Sequence, residues 1–281
     1  MTVSFEPNYL LKNSITYLRT QLPMYNKKTK IIAAFNQSGG AGKTTTVHNL
    51  GYHLAQKHQV LLVDMDPQAS LTTFMGIEPK ELKSEQTIYA AVTERAHLDI
   101  WHEPIHKMHL VPSNNALAGA ELELGRDITT DNRQKLKFIL EPIAEKYDYI
   151  LIDCPPSLGY LSIMSLLAAT HILIPVQTEY KCYAATEQLL TTIARLKKGG
   201  HKDLQIAAFI PTQHDKRTLQ QSGILEAIQN QMSGRVHITT PIPKSIDFPS
   251  ASQAHLPLAL WKKNHPAVRI LEEIANYLVK L

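Results

Sequence analysis

The chain has 281 residues, a formal net charge of +4, and a composition that is 44% hydrophobic and 19% charged. These values are those of an ordinary globular protein with a large core, and they exclude a disordered or low-complexity chain. Two cysteines without a CxxC pair argue against a disulfide framework and a structural zinc site. We therefore expect a cytoplasmic protein that has neither a signal peptide nor a membrane-spanning segment.

The first predicted element is a short helix within residues 1–29, which we interpret as an N-terminal arm. Apolar residues recur at helical spacing before Pro23, namely Leu11, Ile15, Leu18 and Leu22. Two interpretations stay open: an arm that packs on the main domain, or a helix that contacts a partner or a second copy. Residues 30–281 form the second predicted domain.

A glycine-rich turn between a strand and a helix is the most informative feature of the chain. The apolar run 31–35 predicts a buried strand, and residues 44–58 carry apolar side chains at helical spacing. This order is the context of a phosphate-binding P-loop, in which backbone amides and the helix N-terminus face phosphate oxygens. We expect Lys43 to contact the β- and γ-phosphates and Thr44 to contact Mg²⁺. The predicted phosphate-binding residues are Ser38, Gly39, Gly40, Ala41, Gly42, Lys43, Thr44 and Thr45.

Strands and helices alternate from residue 30 almost to the end of the chain. Further strands are predicted at 59–63, 108–111, 149–152, 171–176, 204–210 and 236–239. Further helices are predicted at 131–145, 160–169, 184–196, 219–232 and 266–279. Strands such as 149–152 are apolar on both faces, so helices must cover both sides of the sheet. The predicted fold class is α/β: a doubly wound, mostly parallel sheet of the P-loop NTPase type. Only residues 79–103 lack a regular pattern.

Aspartates follow two of these strands. Asp64 and Asp66 come after the strand at 59–63, and Asp153 comes after the strand at 149–152. In an open parallel sheet the carboxyl ends of the strands meet at one edge, so we expect these carboxylates beside the P-loop. Carboxylate oxygens and water are the ligands that Mg²⁺ prefers. Thr44, Asp66 and Asp153 are therefore the predicted magnesium-site residues.

These motifs resemble those of the ParA/MinD family of deviant Walker A ATPases. The segment Ser38-Gly39-Gly40-Ala41-Gly42-Lys43-Thr44 is similar to its P-loop. Asp64-x-Asp66-Pro67-Gln68 is similar to its switch I, and Asp153-x-Pro155-Pro156-Ser157 to its Walker B and switch II motifs. The resemblance continues through 174–180 and 211–218 to Pro241-Ile242-Pro243-Lys244-Ser245. It spans residues 30–281 and fits the ParA branch best.

The resemblance implies an ATPase that uses ATP and Mg²⁺. Asp66 would position or activate the attacking water, Asp153 would hold the magnesium shell, and Pro241 and Pro243 would lie near the adenine. ParA-like proteins form ATP-dependent homodimers, bind DNA without sequence preference on the nucleoid, and position plasmids or other cargo. A ParB-like adaptor protein stimulates their hydrolysis, which is slow without it.

Ser38 departs from the family pattern, which has lysine at this position. In the family that lysine reaches across the dimer to the partner's phosphates, and serine has no charge to offer. This departure resembles the McdA branch, which positions carboxysomes with an McdB adaptor. We expect Lys181 to supply the missing charge; the alternative interpretation is a solvated surface lysine.

Basic side chains gather late in the sequence. The predicted DNA-binding residues are Arg195, Lys197, Lys198, Lys216, Arg217, Arg235, Lys262 and Lys263. Several cations on one surface are what backbone-only DNA binding requires. Scattered lysines are also typical of an ordinary solvated surface, so the resemblance carries most of this expectation.

Three other functions compete with the ParA-like interpretation. A MinD-like ATPase that cycles on membranes would need a basic amphipathic C-terminal anchor, and we expect the stripe of Val268, Leu271 and Ile274 to pack in the core instead. A metabolic enzyme on the same scaffold could be a carboxylate-activating ligase, or an iron–sulfur reductase using Cys154 and Cys182. A nucleotide-binding regulator without turnover is disfavoured by the intact Lys43 and Asp66.

Overall fold

A seven-stranded sheet forms the centre of the protein in the computed structural model, which describes residues 29–94, 97–103, 105–126 and 132–281. The strands are β1 (Lys30–Ala34), β2 (Val60–Asp64), β3 (Trp101–Glu103), β4 (Met108–Val111), β5 (Tyr149–Asp153), β6 (His171–Gln177) and β7 (Gln205–Thr212). Their order is β3-β4-β2-β5-β1-β6-β7, and every neighbouring pair is parallel except β3 and β4. The predicted mostly parallel sheet is confirmed. The predicted arm helix lies outside the described residues.

Helices connect the strands and cover the sheet. They are α1 (Lys43–Ala55), α2 (Ser70–Phe74), α3 (Ile88–Glu94), α4 (Leu117–Arg126), α5 (Lys135–Ala144), α6 (Tyr160–Ala168), α7 (Tyr180–Lys198), α8 (Leu219–Met232), α9 (Asp247–Gln253), α10 (Leu258–Trp261) and α11 (Pro266–Lys280). Short 3₁₀ turns lie at Pro79–Glu81, Ser84–Gln86 and Asn132–Gln134.

Both faces of the sheet are buried, as the predicted doubly wound fold requires. Side chains of a strand alternate between faces, so Ile31 and Ala33 of β1 enter one hydrophobic core while Ile32 and Ala34 enter the other. The first core includes side chains of α3–α8, and the second includes side chains of α1, α9, α10 and α11. Burying each large aliphatic side chain contributes about 1.5–3 kcal/mol.

The register of the central strands brings three chain segments to one edge. Ala34 pairs with Asp153, and Asp153 pairs with Asp64 on its other side. All three are the last residues of their strands, so the turn after β1 and both aspartate segments leave the sheet together. Helix α1 packs so closely on the central strands that a Cβ added to Gly51 would lie 2.8 Å from the Leu62 side chain. The topology thus places the predicted site motifs side by side.

Several predicted boundaries and elements differ from the structure. Residues 236–239 do not form a strand; Ile238 makes only an isolated bridge to Phe209 of β7. The helix predicted at 184–196 begins four residues earlier, at Tyr180, and the region 79–103 contains α3 and β3. Helices α2, α4, α9 and α10 were not predicted.

The C-terminal helix α11 packs against the sheet. Leu271, Ile274 and Leu278 are at most 1% exposed within the second core, so its apolar stripe is buried rather than available to a membrane. Across the described ranges, no helix combines the length and apolarity needed to cross a bilayer. The expected core role of this helix is confirmed.

Two buried histidines contact each other behind α1. The Nε2 atom of His48 lies 3.3 Å from the Nδ1 atom of His106. Burial, and then the neighbouring His106, lower the pKa of His48 to about 3, and burial lowers the pKa of His106 to about 4. Both rings are therefore neutral at pH 7.

A His48→Gln variant is expected to lose less stability in acid than the wild type. Below pH 6.5 His48 is protonated in the unfolded chain but stays neutral in the folded protein. The free energy of unfolding therefore falls as the pH falls. Between pH 7 and pH 5 this linkage costs the wild type about 2 kcal/mol, which the variant avoids. Urea unfolding at both pH values measures the difference. The exposed His97→Gln is the control and should keep the wild-type loss; equal losses in all three proteins contradict the account.

Candidate active site

The turn between β1 and α1 forms a cradle of backbone amides. Gly42 caps α1 with φ +84°, and Gly40 has φ +74°, both in the left-handed region that side chains disfavour. Gly39 and Gly40 are exposed, so the amides on this part of the turn are not shielded by side chains. The 13-residue helix α1 directs its positive N-terminal end at the same place. This cradle is suited to phosphate groups.

Side chains from the ends of β6 and β7 hold the cradle in place. Gln177 and Gln213 donate hydrogen bonds to the Gly40 carbonyl at 2.8 and 2.7 Å. Thr212 donates through its hydroxyl to the Ala41 carbonyl at 2.9 Å. The sequence analysis missed these residues, although Gln177 and Thr212 end strands at the edge where the ligand was expected. They fix the turn through its Gly40 and Ala41 carbonyl groups.

Lys43 is buried inside the cradle. Its ammonium group donates to the Asn36 carbonyl at 3.0 Å and to the Ser38 carbonyl at 3.4 Å. Burial lowers the pKa of Lys43, and the nearby Asp153 and Asp66 offset part of that shift. A desolvated ammonium group that is only partly offset by carboxylates is a suitable site for an anion. The predicted phosphate contact of Lys43 fits this geometry.

Asp153 lies at the centre of the site with unsatisfied hydrogen-bonding capacity. Its carboxylate is buried, and neither oxygen has a partner at hydrogen-bond distance among the described residues. Burial, and then Asp64, raise the pKa of Asp153; Thr44 lies close enough to offset a small part of this shift. Buried polar atoms are normally satisfied, so an orphaned carboxylate indicates a missing partner. The residues present fit a magnesium ion with its water shell.

The two aspartates at the carboxyl end of β2, Asp64 and Asp66, have different roles. Asp64 is fully buried and accepts hydrogen bonds from the Thr72 hydroxyl at 2.7 Å, the Thr72 amide at 2.9 Å and the Asp66 amide at 3.1 Å. It therefore holds the segment that carries Asp66. Asp66 is half-buried and accepts from the Gln68 amide at 2.9 Å; burial raises its pKa, and Lys43 acts in the opposite direction. Of Asp64, Asp66 and Asp153, only Asp66 is not fully buried.

A cavity of about 720 Å³ adjoins the cradle and is large enough for a nucleoside. Apolar side chains dominate its far end, and Gly42, Thr45 and Thr46 border the phosphate end. The far end is formed by Phe74, Ile242, Pro243, Ile246, Phe248, Pro249 and Leu271. Pro243 lines the cavity as the resemblance implies, whereas Pro241 is not among the described residues that line it. Phe74, Phe248 and the cavity-lining cation Lys244 were not predicted as site residues.

Lys181 lies in the first turn of α7, close to this edge of the sheet. Its side chain is 74% exposed, and its ammonium group is 3.7 Å from a carboxylate oxygen of Glu179. Lys181 does not line the nucleotide cavity among the described residues. Ser38, at the start of the cradle, donates its amide to the Asn36 side chain at 2.9 Å.

The predicted DNA-binding residues divide between the two ends of the sheet. Those at the end of α7 and after α8 lie toward the amino ends of the strands: Arg195, Lys197, Lys198 and Arg235. Those after β7 and before α11 lie toward the carboxyl ends: Lys216, Arg217, Lys262 and Lys263. Arg217 is paired with Asp215 at 2.8 Å, and Lys262 with Asp247 at 2.9 Å.

The two cysteines lie in the core, contrary to what an iron–sulfur reductase would need. Cys154 and Cys182 are both 0% exposed, and they form no disulfide. Burial, and then Asp153, raise the pKa of Cys154 to about 12. No group of residues in the described ranges could hold a metal through three or more His, Cys, Asp or Glu side chains. The reductase interpretation has no support in this arrangement.

The fold and the cradle define a P-loop ATPase. The family described as an AAA domain matches residues 29–206. Soj from Bacillus subtilis is 37% identical over 88% of this chain and 97% of its own length. ParA, a chromosome partitioning protein from Myxococcus xanthus, is 36% identical over 83% and 81%. The chain belongs to the ParA/MinD family of ATPases, and it is an ATP hydrolase of the ParA type.

Two solved structures have a similar fold. The ATP complex of McdA from Cyanothece has a TM-score of 0.81 at 26% identity and covers 90% of this chain and 97% of that one. Cobyrinic acid a,c-diamide synthase from Mycobacterium smegmatis, with bound ADP and magnesium, has a TM-score of 0.77 at 29% identity and covers 90% and 94%. ATP and Mg²⁺ are the cofactors of the protein.

Proposed function

We propose that the protein is an ATPase that dimerises on ATP, binds DNA without sequence preference, and positions a carboxysome or a plasmid. A ParB- or McdB-like adaptor stimulates its hydrolysis, and the dimer resides on the nucleoid. The observation that carries the proposal is an apolar rim around the phosphate-binding edge. We define this rim as Leu158, Tyr180, Leu219 and Ile246, with exposures of 42, 69, 90 and 84%.

The rim favours a second copy as its occupant. Tyr180 and Leu219 begin α7 and α8, and Thr178 is hydrogen-bonded to Gln221 at 3.0 Å, so both helices present their first turns together. Exposed apolar side chains grouped beside a binding site mark an interaction surface. A second chain seated there would cover the cradle and exclude water from the phosphates, where excluded water strengthens electrostatic interactions.

The chain's own groups divide the chemistry between them. The cradle amides and Lys43 bind and orient the triphosphate and stabilise the charge that develops on it. Asp66 orients the attacking water and accepts its proton, while Asp64 holds the segment that carries Asp66. Thr44 and Asp153 would hold magnesium, which neutralises phosphate charge when bound. Phosphoryl transfer needs mainly positioning and charge stabilisation, so this small set suffices.

Lys181 supplies the cross-subunit charge that Ser38 cannot provide in this proposal. Its exposed side chain is next to the rim residue Tyr180 in the chain. Its ammonium group is 3.7 Å from Glu179, and we propose that this weak contact is replaced by one with a phosphate. The alternative is a solvated surface lysine. Retention of ATP-dependent dimerisation by Lys181→Ala removes this part of the proposal.

DNA binding is supported by the net charge of +4 and by basic residues at both ends of the sheet. The group of Arg195, Lys197 and Lys198 forms no ion pair in the described part of the chain, so it offers the less neutralised surface of the two. Binding to phosphates releases counterions, so affinity for arbitrary duplexes should fall steeply between 50 and 200 mM salt.

A Leu219→Asp variant is expected to lose ATP-dependent dimerisation and, with it, ATP-dependent DNA binding. The carboxylate places a charge within the apolar rim, where a dimer would have to desolvate it. Light scattering and fluorescence anisotropy with a random duplex, each with ATP, ADP and no nucleotide, give the two readouts. Val279→Asp at the opposite edge is the matched control. A dimer unaffected by Leu219→Asp, or wild-type DNA binding that ignores ATP, contradicts the proposal.

A carboxylate-activating ligase is a second candidate because the diamide synthase, which was solved with bound ADP and magnesium, has a similar fold. Such an enzyme needs a pocket for its second substrate, for which the sequence carries no recognisable signature. ATP turnover that rises with DNA and a partner protein supports positioning. Turnover that requires a small carboxylic acid and ammonia or glutamine supports the ligase.

A further inference from the structure

A polar network lies behind the wall of the nucleotide cavity. Asp247 begins α9 between Ile246 and Phe248, two residues that line the cavity, but Asp247 itself does not line it. Its carboxylate accepts from the Lys262 ammonium group at 2.9 Å and from the Ser245 hydroxyl at 3.3 Å. The carboxylate therefore connects the cavity wall to the segment between α10 and α11.

His265 closes this network. Its Nδ1 atom accepts from the Ala267 amide at 3.2 Å, which caps the N-terminus of α11 and leaves Nε2 as the donor. Nε2 lies 3.1 Å from the Ser245 hydroxyl and 3.5 Å from the Asp247 carboxylate. The side chain is 9% exposed, and its ring packs edge-on against Phe248. The network thus joins α9 to α11, and each contributes side chains to the cavity, Phe248 and Leu271 respectively.

The adjacent residues Lys262 and Lys263 differ in their contact with this network. Lys262 is paired with Asp247, which is itself 21% exposed, whereas Lys263 is exposed and has no ion pair in the ranges that the structure describes. The sequence analysis assigned both to DNA. Among the described residues, only Lys262 of the two has a carboxylate partner.

We propose that Lys262 and Asp247 are positioning residues for nucleotide binding, which hold the far wall of the cavity through Ser245 and His265. Neither touches the nucleotide. Their ion pair orders the start of α9, so the side chains of Ile246 and Phe248 are in place before the nucleoside binds. Binding therefore does not lose the conformational entropy of ordering these side chains. The proposal depends only on the binding of ATP, and it is independent of dimerisation, DNA binding and the positioning of cargo.

A Lys262→Met variant tests this, with Lys263→Met as the matched control. A partly exposed ion pair has only a modest energetic effect, so the KM for ATP and the Kd for ADP should rise about threefold to fivefold. The kcat should stay within about twofold, because no group at the phosphates has moved. Lys263→Met should leave both constants unchanged, and Lys262→Arg should restore them, since arginine also pairs with carboxylate.

The double variant completes the test. Asp247→Asn should weaken nucleotide binding like Lys262→Met, and the combination should be no worse than either alone, because both changes break one interaction. Equal effects of the two lysine variants, no effect of Lys262→Met, a loss confined to kcat, or additive effects in the double variant each overturn the proposal. Circular dichroism of every variant verifies the fold.

Discussion

An Asp66→Asn variant is expected to bind ATP with near wild-type affinity and to hydrolyse it about 10²–10⁴-fold more slowly. Asparagine keeps the oxygen that accepts the Gln68 amide hydrogen bond, so the segment after β2 should keep its shape. It cannot accept the proton of the attacking water. The account therefore places the whole loss in the chemical step rather than in binding.

Phosphate release measures hydrolysis, and calorimetry measures the affinity for ATP. The exposed Glu85→Gln is the control for loss of one negative charge and should behave as the wild type. If the proposed ATP-dependent dimer forms, Asp66→Asn should accumulate it. Hydrolysis within tenfold of the wild type would exclude Asp66 as the group that activates water.

Replacing Lys43 with alanine is expected to weaken the binding of Mg-ATP by about 10²–10³-fold. The ammonium group is buried, and the nearby carboxylates of Asp153 and Asp66 raise its pKa against the effect of burial. Removing one partner from a set of buried charges costs about 3–5 kcal/mol, because the remaining charges lose their compensation. Here the remaining charges are carboxylates and phosphates, which repel one another.

The matched control is Lys57→Ala, which removes one exposed charge just beyond the end of α1. That variant should bind the nucleotide as the wild type does. Titration of ATP into each folded protein gives the affinities. An unchanged affinity in Lys43→Ala would contradict the assignment of the cradle as the phosphate site.

The central fold could be predicted because its signals are local. Strand β4 was predicted at its observed bounds, Met108–Val111, from a short apolar run, and β5 from an apolar run that ends in Asp153. The glycine-rich turn and the aspartates could be placed together because parallel strands end at a common edge. The segment 236–239 shows the limit of this argument. Its apolar pattern indicates buried side chains, and Ile238 and Thr239 are at least partly buried beside β7. Burial alone, however, does not determine that a segment forms a strand.

The supporting residues of the site could not be predicted, since their partners are distant in the chain. Gln177 and Gln213 bond to the carbonyl of Gly40, which is 137 and 173 positions away. Likewise, nothing in the sequence distinguishes Lys262 from Lys263, and only the position of Asp247 makes them different. The chemistry of the phosphate end was visible in motifs, whereas the walls of the cavity depended on packing between α2, α9 and α11.

The most direct measurement is calorimetric titration of ATP into the wild-type protein, once with Mg²⁺ and once with a chelator. The orphaned Asp153 carboxylate and the buried Lys43 predict saturable binding at one site per chain that is strong with Mg²⁺ and much weaker without it. Equal binding in both conditions, or no binding by folded protein, would contradict a metal-bound triphosphate at this edge of the sheet.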